Sequence, residues 1–156
     1  MANIKAFFFD VDGTLTRDGR TAWDQITLEL GASLDYHHLI LKKFQNHEID
    51  LEEAIKLIVD LWCSTGKASK SNIHEILKNC IDLRKGAKRF VQSLLKNGKK
   101  VILLTNTPSS NLQIITDIFP GVEAFTSTEF IFDDSDYLIN FTYPLDLSEY
   151  KSGEKY

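Results

Sequence analysis

Cysteine is scarce in this sequence, with two residues in 156. That excludes a disulfide framework, and two cysteines alone make no metal site. Cys63 and Cys80 both fall at apolar positions of predicted helices, so they read as buried free thiols in a reducing compartment. Basic charge is not in excess either. The net charge of -4 leaves no basic footprint for nucleic acid. No apolar run is long enough to span a bilayer. The N-terminal apolar run breaks at Asp10 and lacks the shape of a signal peptide. These absences predict a cytoplasmic protein with neither nucleic acid nor membrane as partner. The length suits one domain with a small appended lobe.

What is present begins at once. Residues 4–9 are a short, aromatic-rich apolar run without polar alternation, which predicts a strand buried on both faces, as in a parallel sheet. Asp10, Asp12 and Gly13 follow directly. The C-terminal end of such a strand is where open α/β sheets keep their active sites. Two residues apart in an extended segment, both carboxylates point the same way. They repel each other, and a hard divalent cation such as Mg²⁺ relieves that repulsion. One carboxylate can then attack a phosphorus centre while the other moves a proton. The plainer alternative is an Asp-x-Asp-Gly turn that merely ends a strand.

Helices are predicted over residues 21–30, with Trp23, Ile26 and Leu30 on one face, and over about 35–46, with Tyr36, Ile40 and Phe44 at four-residue steps. A third starts at Asp50, with Glu53 as its capping-box partner and a stripe of Leu51, Ala54, Ile55, Ile58, Leu61 and Trp62. A fourth starts near Asn72. Residues 20–80 thus read as an all-helical block. The α/β pattern resumes with a helix over 87–97, a buried strand over 100–104, a loop over 105–108, and a helix that Ser109 can cap. A shorter strand follows over 121–126. A helical block between the first and second strands reads as a cap over the strand ends. Thr105 should face the same crevice as Asp10, because right-handed crossovers bring parallel strand ends to one side. Its hydroxyl and nearby backbone N–H groups suit phosphate oxygens, although Thr and Asn are also ordinary before a helix.

The string Phe7-Phe8-Phe9-Asp10-Val11-Asp12-Gly13-Thr14-Leu15-Thr16 resembles the first motif of the haloacid dehalogenase-like phosphohydrolases. The resemblance implies Asp10 as the nucleophile that forms an aspartyl-phosphate and Asp12 as general acid and base. Mg²⁺ would be bound by Asp10 and the Asp12 main-chain carbonyl. Leu103-Leu104-Thr105-Asn106 resembles the family's second motif, making Thr105 and Asn106 the phosphate-holding pair. The order of elements resembles the phosphoserine-phosphatase-like branch, where a helical cap follows the first motif and returns through a segment like residues 82–87. The implied fold is α/β, a Rossmann-like parallel sheet that is incomplete at its C-terminal side. Its core would take residues 1–16 and 84–156, and its helical cap residues 17–83. The implied activity is Mg²⁺-dependent hydrolysis of a small phosphorylated metabolite.

Two family parts remain to be placed. Lys155, with Lys151 second, resembles the lysine that neutralises nucleophile and phosphate. The acidic motif that follows a fourth strand has no counterpart in the expected place. Asp133-Asp134-Ser135-Asp136 imitates it, but precedes the lysines and is flanked by hydrophobic arms, so it reads as a hairpin turn. Without the fourth strand, residues 4–9 become an exposed apolar edge open to self-association. The expectation is therefore a truncated phosphatase, a partner-completed protein, or a phosphate-binding or interaction module without turnover. His37 and His38 read as surface residues, His47 and His74 as solvated groups near helix ends, and Trp23 and Trp62 as core. Arg17, Arg84 and Lys85 read as turn or pre-helix residues within reach of the crevice.

Overall fold

The computed structural model describes residues 4–17 and 21–142. Strand β1 (Ala6–Phe9) pairs in parallel with β2 (Lys100–Pro108), and β2 in parallel with β3 (Glu123–Phe132). Strand β4 (Leu138–Thr142) returns antiparallel to β3, giving the order β1-β2-β3-β4. The fold is α/β, with a mixed sheet and a helical region inserted after the first strand. Between β1 and β2 lie α1 (Ala22–Glu29), α2 (Leu34–Gln45), α3 (Leu51–Cys63), α4 (Lys70–Asn79) and α5 (Ala87–Lys96). Helix α6 (Ser109–Ile118) joins β2 to β3.

Helices α5 and α6 cover one face of the sheet. Val91 and Ile115 pack there against Val101 and Leu103, with Val11 and Leu15 from the loop after β1. The register puts Phe8, Ile102, Leu104 and Phe125 on the opposite face. There Phe8 is 62% exposed, Leu104 48% and Phe125 55%. The expectation that residues 4–9 are buried on both faces is thus corrected. No described element covers the second face, and β1 lies at the sheet edge.

Local chemistry starts the inserted helices. Thr21 and Asp24 form a reciprocal capping box at α1. Asp50 accepts the Glu53 N–H at 2.8 Å, so the predicted cap of α3 is in place. Helix α4 starts earlier than expected, because Ser69 rather than Asn72 takes the cap and accepts the Asn72 N–H. In α2 the inward stripe is His37, Ile40, Leu41 and Phe44, while Tyr36 is exposed. His37 is therefore buried, not a surface residue, whereas its neighbour His38 is exposed. Cys63 and Cys80 are half-buried.

Strand β2 continues through residues 105–108, which were expected to be a loop, with an irregularity between Thr105 and Pro108. The N-cap of α6 is Pro108, without a side-chain cap bond, so Ser109 does not act as the cap. Strand β3 runs six residues past its expected end and carries the β3–β4 hairpin up against the helices. Asp133 accepts the Ser135 and Tyr137 N–H groups and shapes the turn, as the hairpin reading predicts. Leu138 and Phe141 join the buried cluster of Ile26, Ile40, Ile58, Trp62 and Leu77. The Leu138 N–H donates to the Ala68 carbonyl at 3.0 Å. The hydrophobic core of the helical region is thus completed by residues after position 84.

Candidate active site

Asp10 follows β1 directly and is exposed. The chain then winds into a tight loop around the Val11 carbonyl, which accepts the N–H groups of Thr14, Leu15 and Thr16. Val11 and Leu15 anchor the loop in the sheet-side core. Gly13 has φ 77°, a left-handed conformation that a Cβ would strain, and its N–H donates to Thr16 Oγ1 at 3.0 Å. Arg84 donates to the Gly13 carbonyl at 2.8 Å. The outgoing and returning chains are laced together, Arg17 N–H to the Asp82 carbonyl and Arg84 N–H to the Leu15 carbonyl, both at 2.9 Å. Arg17 also pairs with the Asp82 carboxylate on the surface.

Asp12 is half-buried where this loop meets α1. Burial first, then the neighbouring Asp10 carboxylate and finally Asp24, push its carboxyl up to about 6. The Ala22 backbone N–H works against that rise by hydrogen-bonding the charged form. A carboxyl pushed up to about 6 exchanges its proton just below neutral pH, so both its protonated and its ionised forms are accessible.

Two clefts meet at Asp12. The larger, about 380 Å³, is lined by Asp10, Asp12, Thr105 and Asn106 at its polar end. The structure therefore brings together four of the residues singled out from the sequence. Thr105 follows two positions after Leu103, the residue paired with Phe9 at the end of β1. Its Oγ1 accepts the Thr107 N–H at 3.1 Å. The smaller cleft, about 310 Å³, lies on the other side of Asp12 and is lined by Arg17, Gln25, Asp82 and Asn111 among others. Lys151 and Lys155 lie outside the described residues. Asp133 and Asp134 line neither cleft.

The apolar end of the larger cleft comes from the helices and β4, through Trp23, Leu41, Phe44, Ile55, Ile58 and Phe141. Trp23 is thus both core and cleft wall, stacking on Trp62 with ring centroids 5.7 Å apart. His37 lines the same cleft. Sequence reasoning missed it, although its spacing to Ile40, Leu41 and Phe44 is that of an inward helical stripe.

Among the described residues there is no cluster of three side chains suited to a metal. The oxygen donors of Asp10 and Asp12 nonetheless fit magnesium, which keeps several waters and is commonly held by one or two carboxylates. Burial is the larger cause of the rise at Asp12, and the Asp10 repulsion that adds to it is the interaction a cation would relieve.

A mixed sheet with paired carboxylates just after its first strand, under an inserted helical region, defines a protein of the α/β class. The chain belongs to the haloacid dehalogenase-like hydrolases, whose family model matches residues 4–141. Among solved structures it is similar to a phosphoserine phosphatase carrying a phospho-aspartyl intermediate analogue, with 20% identity and a TM-score of 0.64. That match covers 88% of this chain and 61% of the other. A substrate-bound phosphoserine phosphatase complex matches at 18% identity and a TM-score of 0.68, covering 92% of this chain and 64% of the other. A haloacid dehalogenase-family hydrolase from Salmonella enterica serovar Typhi matches at 18% identity and a TM-score of 0.70, covering 90% and 45%. The chain spans less than two thirds of the length of each. No curated protein matches.

Proposed function

We propose that this protein is a phosphomonoester hydrolase that works through an aspartyl-phosphate on Asp10. The observation that carries this reading is the convergence of Asp10, Asp12, Thr105 and Asn106 on one cleft beneath the inserted helices. An Asp10 carboxylate oxygen attacks phosphorus, the bond from phosphorus to the leaving oxygen breaks, and Asp12 gives that oxygen its proton. Water then attacks the phosphorus of the aspartyl-phosphate and passes a proton to Asp12, which releases phosphate and the Asp10 carboxylate. The elevated Asp12 carboxyl suits both transfers. Thr105 and Asn106 hold phosphate oxygens, and Lys155 is the proposed neutralising cation. Mg²⁺ held by Asp10 and the Asp12 main-chain carbonyl would offset the charge of the phosphoryl group. Residues 17–83 act as the cap and residues 1–16 and 84–156 as the core, and the substrate is a small phosphorylated metabolite.

The test is Mg²⁺-dependent hydrolysis of 4-nitrophenyl phosphate by the wild-type chain beside Asp10→Asn. Activity that needs Mg²⁺ and is lost in the variant supports the reading. A folded wild-type chain that hydrolyses nothing in the assay sinks it.

A second reading is a phosphate-binding or interaction module. It is favoured, among the described residues, by the pair rather than a trio of metal-suited carboxylates and by the exposed apolar sheet face at Phe8, Leu104 and Phe125. In that case phosphate binding survives without turnover, and self-association proceeds through the β1 edge.

A further inference from the structure

Apart from Asp10 and Asp12, the described residues lining the larger cleft include no ionised side chain. Trp23, Leu41, Phe44, Leu51, Ile55 and Ile58 make most of its wall beneath the helices. An ammonium or carboxylate on the leaving group would lose its hydration against these side chains and gain no partner among them. The wall suits a largely apolar alcohol.

One residue lining that cleft, His37, carries a buried polar atom without a partner. His37 is 1% exposed, and its Nε2 has no hydrogen-bond partner. Buried nitrogens are rarely left in this condition, and a ligand group can complete them. The other ring nitrogen is held: Nδ1 lies 2.6 Å from Thr27 Oγ1. That oxygen accepts the Trp62 indole N–H at 2.9 Å and also lies 2.9 Å from the Trp23 carbonyl. The Thr27 proton therefore has two destinations. Directed to Nδ1, it leaves Nε2 protonated and a donor. Directed to the Trp23 carbonyl, it requires Nδ1–H to donate to Thr27 and leaves Nε2 an acceptor. A hydroxyl satisfies Nε2 in either tautomer, since it both donates and accepts. Burial keeps this imidazole neutral by pushing it down to about 4, with Asp24 opposing and His38 assisting, so the contact carries no charge.

We infer that the cleft selects phosphate monoesters of largely apolar alcohols bearing one further hydroxyl, and that Nε2 of His37 meets that hydroxyl. The inference rests on the phosphomonoesterase reading for the phosphate end of the cleft. His37 is then a specificity-determining residue.

The experiment compares kcat/KM for phenyl phosphate, 4-(hydroxymethyl)phenyl phosphate and O-phosphoserine in the wild type and in His37→Leu and His37→Gln. The expected wild-type preference for the hydroxymethyl ester over phenyl phosphate is about tenfold, the worth of one buried neutral hydrogen bond. O-phosphoserine ranks last. The ratio of the first two substrates falls to near one in His37→Leu and is partly restored in His37→Gln. Because a ratio is read, general damage to the fold cancels. Equal rates for the two aryl esters, a preference for O-phosphoserine, or a ratio that survives His37→Leu overturns the inference. A second readout needs no turnover: imidazole nitrogen resonances are followed by NMR as 4-hydroxybenzyl alcohol is titrated in. If no ester is hydrolysed, a shift at His37 Nε2 upholds the cleft assignment while the phosphatase reading falls. Absence of that shift overturns the assignment.

Discussion

Thr27 and His37 are joined across 2.6 Å, which ties α1 to α2. The same Thr27 oxygen receives the Trp62 indole proton from α3, so one hydroxyl serves three helices. Thr27→Val keeps the shape and removes the oxygen, stranding two buried nitrogens. The expected loss is roughly 3 kcal/mol of unfolding free energy. Thr27→Ser keeps the oxygen and should cost less than about 1 kcal/mol. Urea denaturation measures both, and a Val variant as stable as the Ser variant would show that the oxygen is not what holds the helices.

Asp12 and His37, which both line the larger cleft, act on stability with opposite sign. His37 titrates near 4 in the folded chain against 6.5 unfolded, so between those values the unfolded chain binds more protons. Its contribution is intact above pH 6.5 and is lost as pH falls through 4, by up to about 3 kcal/mol. Asp12 is raised from 3.8 to about 6, so the folded chain binds more protons across that window. Its contribution is present below pH 3.8 and is lost as pH rises through 6. Its half-buried position discounts that loss to about 2 kcal/mol. In EDTA, Asp12→Asn should therefore be more stable than wild type at pH 7.5, the gain vanishing below pH 4. His37→Gln should flatten the acid limb of the wild-type curve between pH 4 and 6.5. Denaturation midpoints across pH 3.5 to 8 test each sign separately.

Phe8 lies on an edge strand and on the uncovered face of the sheet. Phe8→Lys removes an exposed apolar group and places a charge where edge pairing would occur. Stability should change by less than about 0.5 kcal/mol, as for other exposed positions. Concentration-dependent association in sedimentation velocity should fall. Unchanged association would move any self-contact elsewhere.

What was readable in advance followed the range of the forces involved. Asp10 and Thr105 could be picked out because each follows an apolar run, and Asp12 because it lies two residues beyond Asp10, while the parallel pairing of β1 with β2 brings the ends of those runs to one side. The Asp133 turn was readable because its hydrogen bonds reach only to Ser135 and Tyr137. His37 was not. Four-residue steps favoured Tyr36 as the inward residue, and a buried histidine is tolerable only because Thr27, on another helix, supplies its partner. The end of β3 was misjudged for a similar reason, since its extension is stabilised by side chains from α1 and α3. Ser69 displaced Asn72 as a cap within a single turn, where several residues could serve. Lys155, outside the described residues, stays an expectation from motif resemblance alone.

Phe141 tests whether the hairpin is an appendage or part of the helical core. It lies on β4, 79 residues after Trp62, yet it is buried against Trp23 with ring centroids 5.0 Å apart. Phe130, on the opposing strand, meets Trp23 and Trp62 edge-on at 5.7 and 5.9 Å. Phe141→Ala should open a cavity between the hairpin and α1, and its cost is about 3–4 kcal/mol. The same change should speed amide exchange in α1 and α3, while β1 and β2 keep most of their protection, since their core of Val91, Leu103 and Ile115 does not include Phe141. Because Phe141 also lines the cleft, its loss should raise KM for apolar esters. Exchange that quickens only within β4 would mean the hairpin merely lies on the helices and that they hold their shape without it.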